Sequence, residues 1–91
     1  MFKIIFTESY DKKATTFIKQ HPELLGQYEK CLRLLESNPQ HPSLRLHSLK
    51  GRLKNLHSIS INLAYRIIIE LEIKDELIIP INIGKHNDIY K

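Results

Sequence analysis

Leu56–Leu71 reads LHSISINLAYRIIIEL, and the way this stretch folds decides the architecture. Two apolar series run through it with a period of two. Ile59 and Ile61 alternate with Ser58, Ser60 and Asn62, and Tyr65, Ile67, Ile69 and Leu71 alternate with Arg66, Ile68 and Glu70. That period puts each series on one face of an extended strand and its partner series on the other. Only Leu63 and Ala64 lie at the join, which is hairpin length, although no Asn-Gly pair names the turn type. Downstream, IKDE (73–76) makes a second turn, and LIIPINI (77–83) returns with Leu77, Ile79, Ile81 and Ile83 alternating along one face. Pro80 cannot donate to a ladder, so a bulge or an unpaired side is expected there.

Upstream, FKIIF (2–6) suits a buried strand. Thr7 or Ser9 can cap a helix whose first turn carries Glu8 and Asp11, and Tyr10, Ala14, Phe17 and Ile18 recur at the spacing of one helical face. Pro22 breaks it. Leu24, Tyr28, Cys31, Leu32 and Leu35 form the next apolar stripe until SNPQHP (37–42) stops it. The predicted fold is α+β: a four-stranded antiparallel sheet with an N-terminal helical hairpin packed on one face, in the order β-α-α-β-β-β. Its core should include Ile4, Phe17, Leu32, Ile59, Ile67 and Ile81.

The 91 residues are enough for one domain, 1–91, burying somewhat over ~60% of its extended surface. No apolar run is long enough to span a membrane, and MFKIIFTES lacks the cleavage site of a signal peptide, so the chain is read as cytoplasmic. Cys31 has no cysteine to pair with and falls among the leucines of CLRLL, where a buried thiol is expected. The net charge of +4 is unevenly spread. Residues 37–69 contain no Asp or Glu but carry Arg45, Lys50, Arg52, Lys54 and Arg66, with His41, His47 and His57. A polyanion is the obvious partner for such a segment, and a solvated basic loop or an acidic protein is the alternative.

The chain has no Gly-rich phosphate loop, no cysteine pair, no HExxH and no Gly-x-Ser-x-Gly, which argues against nucleotide-binding, zinc-cluster and hydrolase-elbow chemistry. No cofactor or metal site is called for. His21 and His41 sit at helix and turn junctions and are expected on the surface, and His57 is expected to face solvent. Arg66 alternates away from Tyr65, Ile67 and Ile69, so its guanidinium should reach solvent or a cleft, or else pair with Glu70 or Glu72. His86 and Tyr90 follow the last strand. A histidine there can exchange protons near neutrality and a tyrosine can stack on a base, or both can belong to a tail folded back on the domain.

HPSLRLHSLKGRLKNLHSISIN (41–62), YRIII (65–69) and IGKHNDIY (83–90) together resemble the RelE/ParE superfamily of bacterial toxins from type II toxin–antitoxin systems, especially its messenger-RNA-cleaving, RelE/YafQ-like branch. The shared features are an H-x-L-x-G connection at His47–Gly51 and an I-G-x-H-x-x-x-Y ending at Ile83–Tyr90. The resemblance implies a ribosome-dependent mRNA endonuclease that cuts mRNA in the ribosomal A site, with ribosomal RNA as a further partner, and that is held in check by a cognate antitoxin. In that chemistry the RNA's own 2′-hydroxyl attacks the adjacent phosphate and the 5′-oxygen leaves. By motif position His86 would exchange the proton, Arg66 would neutralise phosphate charge, Tyr90 would stack on or orient the substrate, and His47 would accept a proton. Lys50, Arg52, Lys54 and Arg45 would bind the RNA backbone. The sequence departs from one subgroup at Ser60, where another histidine stands, and at Ala64, where an acidic residue stands. A gyrase inhibitor of the ParE kind and a member that binds without cutting are the alternatives.

Overall fold

A computed structural model describes residues 1–89. Strand β1 (Lys3–Ile4) leads into helix α1 (Glu8–Gln20), which Thr7 caps by accepting a hydrogen bond from the Tyr10 amide at 3.1 Å. Glu8 and Asp11 in the first turn and Lys19 in the last complement the helix dipole. The helix buries Tyr10, Ala14 and Phe17, spaced by four and three residues. A single 3₁₀ turn at Pro22–Leu24 reverses the chain into α2 (Leu25–Ser37), which buries Tyr28, Cys31 and Leu35. The phenols of Tyr10 and Tyr28 meet at 2.9 Å inside the pair, so two buried hydroxyls satisfy each other. Burial pushes the Tyr10 phenol well above its ordinary range.

The sheet is where expectation and structure part. Among the described residues it has five strands, ordered β1-β5-β4-β3-β2, and it is mixed. Strand β2 (His47–Ser48) pairs antiparallel with β3 (His57–Ser60), β3 with β4 (Tyr65–Glu72), and β4 with β5 (Leu77–Lys85). β1, however, lies parallel to β5, with Lys3 opposite Leu77 and Ile4 opposite Ile78. The predicted four-stranded antiparallel sheet is therefore corrected twice. A two-residue strand such as β2 is too short to show a period. The direction of β1 depends on where the helical crossover sets it down, which no local pattern encodes.

The face reading of β5 is also corrected. Ile68 pairs with Asn82 but Ile69 pairs with Pro80, so Ile81 is the extra residue of a β-bulge. The irregularity sits beside Pro80, where the missing donor was expected to produce it. One added residue reverses the alternation: Ile78 and Pro80 point into the core before the bulge and Ile83 after it, while Ile81 is 36% exposed. Ile81 is thus outside the core to which the sequence assigned it. Phe17, Ile59 and Ile67 are buried as expected, and Ile4 and Leu32 pack against the same cluster while partly exposed.

The helices cover the face bearing Ile59, Ile67, Ile69, Ile78 and Ile83. The opposite face is also closed at its centre, where Ser58, Ser60 and Ile68 are all buried. His21 departs from the expected surface position, because its ring packs 4.8 Å from Phe17 and 4.8 Å from Tyr65. His57 is half-buried rather than solvent-facing, with its Nδ1 enclosed and unpaired among the described residues.

Cys31 is only 4% exposed, its thiol lies 3.6 Å from the Ser60 carbonyl, and burial pushes its pKa up to about 12. Because the thiolate is the reactive form, Cys31 should resist a thiol reagent at pH 8 until denaturant unfolds the chain. Rapid stoichiometric labelling of the folded protein would contradict the burial of Cys31 against the Ser60 carbonyl.

Candidate nucleic-acid interface

The site is built from one turn. Asn62, between β3 and β4, accepts from the amides of Ala64 (2.8 Å) and Tyr65 (3.0 Å) through its Oδ1, and its Nδ2 donates to Gln27 at 3.3 Å. This Asx arrangement closes the hairpin and fixes where β4 begins. Arg66, the second residue of β4, stands directly opposite Ser60 on one side and Gly84 on the other. One guanidinium Nη donates to the Ser60 hydroxyl, which in turn donates to the Asn62 carbonyl at 2.7 Å. The Nε of Arg66 is buried and has no partner among the described residues. Among the described residues Arg66 thus bonds a hydroxyl rather than Glu70 or Glu72, and part of its donor capacity is unspent.

The same turn holds the other end of the site. The Ala64 carbonyl accepts from the His86 amide at 2.9 Å, so the ladder between β4 and β5 runs on into α3 (His86–Ile89). His86 is exposed, and its Nδ1 lies 3.2 Å from Asn87 Oδ1. Gly84 makes the fold-back possible. A Cβ on Gly84 would come within 2.8 Å of the Ile89 side chain, and Ile89 is 9% exposed. Register therefore brings Arg66 and His86 to one end of the sheet.

His47 belongs to the next row. It faces Ser58, which faces Ile68, which faces Asn82, and residues paired in this way share a face. Ser58 and Ser60 alternate to the same side, so His47 shares the surface of Arg66, and strand spacing and rise put their Cα atoms roughly 12 Å apart. His47 is exposed, and its Nδ1 donates to the Arg45 carbonyl at 3.0 Å. Lys50, Arg52 and Lys54 are exposed on the β2–β3 loop, which Gly51 opens at φ 67° and Asn55 closes at φ 79°. That loop lies at the far end of the face, on the order of 20 Å along the strands from His86. The face is thus an open strip, basic at one end and bearing Arg66 and His86 at the other. A hollow of about 760 Å³ between α1 and β5 takes in neither Arg66 nor His86. Tyr90 lies outside the described residues.

Sequence reasoning missed Asn62, Ser60 and Gly84. An asparagine two residues before an alanine at a strand join is a turn signal, but the role of Gly84 depends on Ile89 returning over it. No group of three His, Cys, Asp or Glu among the described residues is placed to hold a metal ion, and none of the described helices is long and apolar enough to cross a membrane.

Gly84→Ala should destabilise the protein by about 1–3 kcal/mol through overpacking against Ile89. In urea unfolding, Ile89→Ala should recover part of that loss when the two are combined. Strict additivity of the two substitutions would mean that the contact is absent.

No family model matches the chain, and no curated protein matches it in sequence. Solved structures do. YafQ from Escherichia coli BL21(DE3) superposes with a TM-score of 0.80 at 17% identity, covering 100% of both chains. The E. coli DinJ–YafQ complex gives a TM-score of 0.78 at 17% identity, again covering 100% of both chains. A YoeB/ParE toxin from Agrobacterium tumefaciens gives 0.75 at 15% identity over 93% of this chain and 99% of that one. At such identities likeness speaks of architecture, and it speaks clearly: this chain has the fold of the YafQ and YoeB/ParE toxins.

Proposed function

We propose that this chain is a toxin of the RelE/ParE superfamily, a single domain over residues 1–91 that acts in the cytoplasm as a ribosome-dependent mRNA endonuclease and is neutralised by a cognate antitoxin. The observation that carries the reading is the Arg66–His86 end of the sheet. An arginine with an unspent donor stands opposite Gly84, two residues before His86, on a face whose far end presents Lys50, Arg52 and Lys54. That is an arrangement suited to a phosphodiester running along the strands. The likeness to YafQ bound to DinJ supports an antitoxin as the partner.

In the proposed reaction the 2′-hydroxyl proton passes to His47, the 2′-oxygen bonds to phosphorus, and the bond from phosphorus to the 5′-oxygen breaks. His86 supplies the proton to the departing oxygen. Arg66 neutralises charge on the crowded phosphorane, and Lys50, Arg52, Lys54 and Arg45 hold the backbone on either side. Tyr90 stacks on or orients a base. The products are a 2′,3′-cyclic phosphate and a 5′-hydroxyl.

The test compares translated and untranslated message by primer extension. Cleavage should need translating ribosomes, His86→Ala should slow it by roughly 10²–10⁴-fold, and Arg66→Ala by roughly 10²–10³-fold. A protein that cuts no message while gyrase–DNA adducts accumulate is a ParE-like poison instead. Brief expression should also arrest growth, and co-expression with the adjacent small open reading frame should restore it and yield a purifiable complex. A protein harmless on its own and indifferent to that neighbour would end the antitoxin reading.

A further inference from the structure

Arg45 adopts φ 50° and ψ 45°, the left-handed conformation that a residue with a side chain avoids. Its surroundings force the turn. His41 Nδ1 accepts from the Ser43 amide (3.2 Å), Leu44 is 1% exposed and anchored in the core, and the Arg45 amide donates to the Pro42 carbonyl at 3.2 Å. Two residues later His47 must already be in register with Ser58. The reversal therefore falls on Arg45, and it delivers the Arg45 carbonyl to His47 Nδ1 at 3.0 Å. A carbonyl can only accept, so Nδ1 carries the proton and the Nε2 of the neutral ring is bare. The charged and titratable groups facing His47 in its hollow of about 430 Å³ are Arg45, His41 and His57, and none of the residues lining it is a carboxylate. Among the described residues no acidic partner orients this ring, and the main-chain carbonyl does so in its place.

We infer that the Arg45 carbonyl is a positioning group which holds His47 in its Nδ1–H tautomer, so that Nε2 stands ready to take the 2′-hydroxyl proton. This rests on the nuclease reading above and assigns the purpose of the strained residue. The proton moves from the 2′-oxygen to Nε2, the oxygen's freed electron pair forms the bond to phosphorus, and the electrons of the broken phosphorus–oxygen bond leave with the 5′-oxygen, which His86 protonates. The Arg45 side chain is not needed for this effect; only its backbone conformation is.

Arg45→Gly and Arg45→Val test it, since both remove the guanidinium but only valine opposes the left-handed conformation. Nitrogen–proton correlation spectra of the imidazoles, with the His47 signals assigned by their loss in His47→Gln, should show the proton on Nδ1 in the parent and in Arg45→Gly. In Arg45→Val a substantial share should move to Nε2. On programmed ribosomes both variants should bind more weakly, and Arg45→Val alone should lose about a further tenfold in kcat, part of the contribution of a positioned base. Should Arg45→Val fail to fold, Arg45→Ala is the milder block. A proton on Nε2 in the parent, or equal tautomer and kcat in the glycine and valine variants, overturns the inference. His47→Gln cutting as fast as the parent, with the tautomer as described, removes His47 as acceptor. A parent that cuts nothing overturns the nuclease reading and leaves the spectroscopic result to stand or fall separately.

Discussion

The structure depends on β4 being paired on both sides. β3 and β5 flank it, so its backbone donors and acceptors are used up in ladders and its side chains alone decide what each face becomes. Ile67 and Ile69 go to the helices, and each buried isoleucine contributes about 1.5–3 kcal/mol. Arg66 and Ile68 go to the other face. A strand slipped by one residue would put the guanidinium into the core and an isoleucine into the site. The core and the candidate site are therefore specified together, and neither can be altered in register without destroying the other.

The site is also economical in its parts. One asparagine closes the turn, one serine receives the arginine, one carbonyl of the same turn receives the His86 amide, and one glycine makes room for the returning α3. Most of them act between near neighbours in the chain, and they sit where β3, β4 and β5 end together. Lys50, Arg52 and Lys54, by contrast, lie on a loop opened and closed by positive-φ residues. The groups proposed to act on the reacting atoms are on strands and their ends, whereas those proposed only to supply charge are on the loop.

The bulge at Ile81 shows why a pattern that is correct locally can be wrong globally. Leu77, Ile79, Ile81 and Ile83 do alternate, and the alternation is apolar throughout, yet β5 is apolar on both parities before the bulge. Either phase would look like a core face. Pro80 disclosed that the ladder is interrupted, but which phase is buried follows from the pairing with β4. His21 was misjudged for a related reason. Beside a proline it looks like a junction residue, and only the approach of Tyr65 across the sheet turns it into part of an aromatic cluster.

Sequence by itself determined the two amphipathic helices, the hairpin of β3 and β4, the burial of Cys31, the interruption at Pro80 and the separation of Arg66 from the core, because each follows from spacing within a dozen residues. Tertiary structure alone decided the parallel placement of β1, the edge pairing of the two-residue β2, the bulge phase, and the return of Ile89 over Gly84. It also decided that the left-handed backbone of Arg45 meets the ring of His47. The first three depend on where separate segments come to rest, which leaves no periodic trace in either; the last two join residues five and two positions apart, but the turns that bring them together are set by the pairing of His86 with Ala64 and of His47 with Ser58.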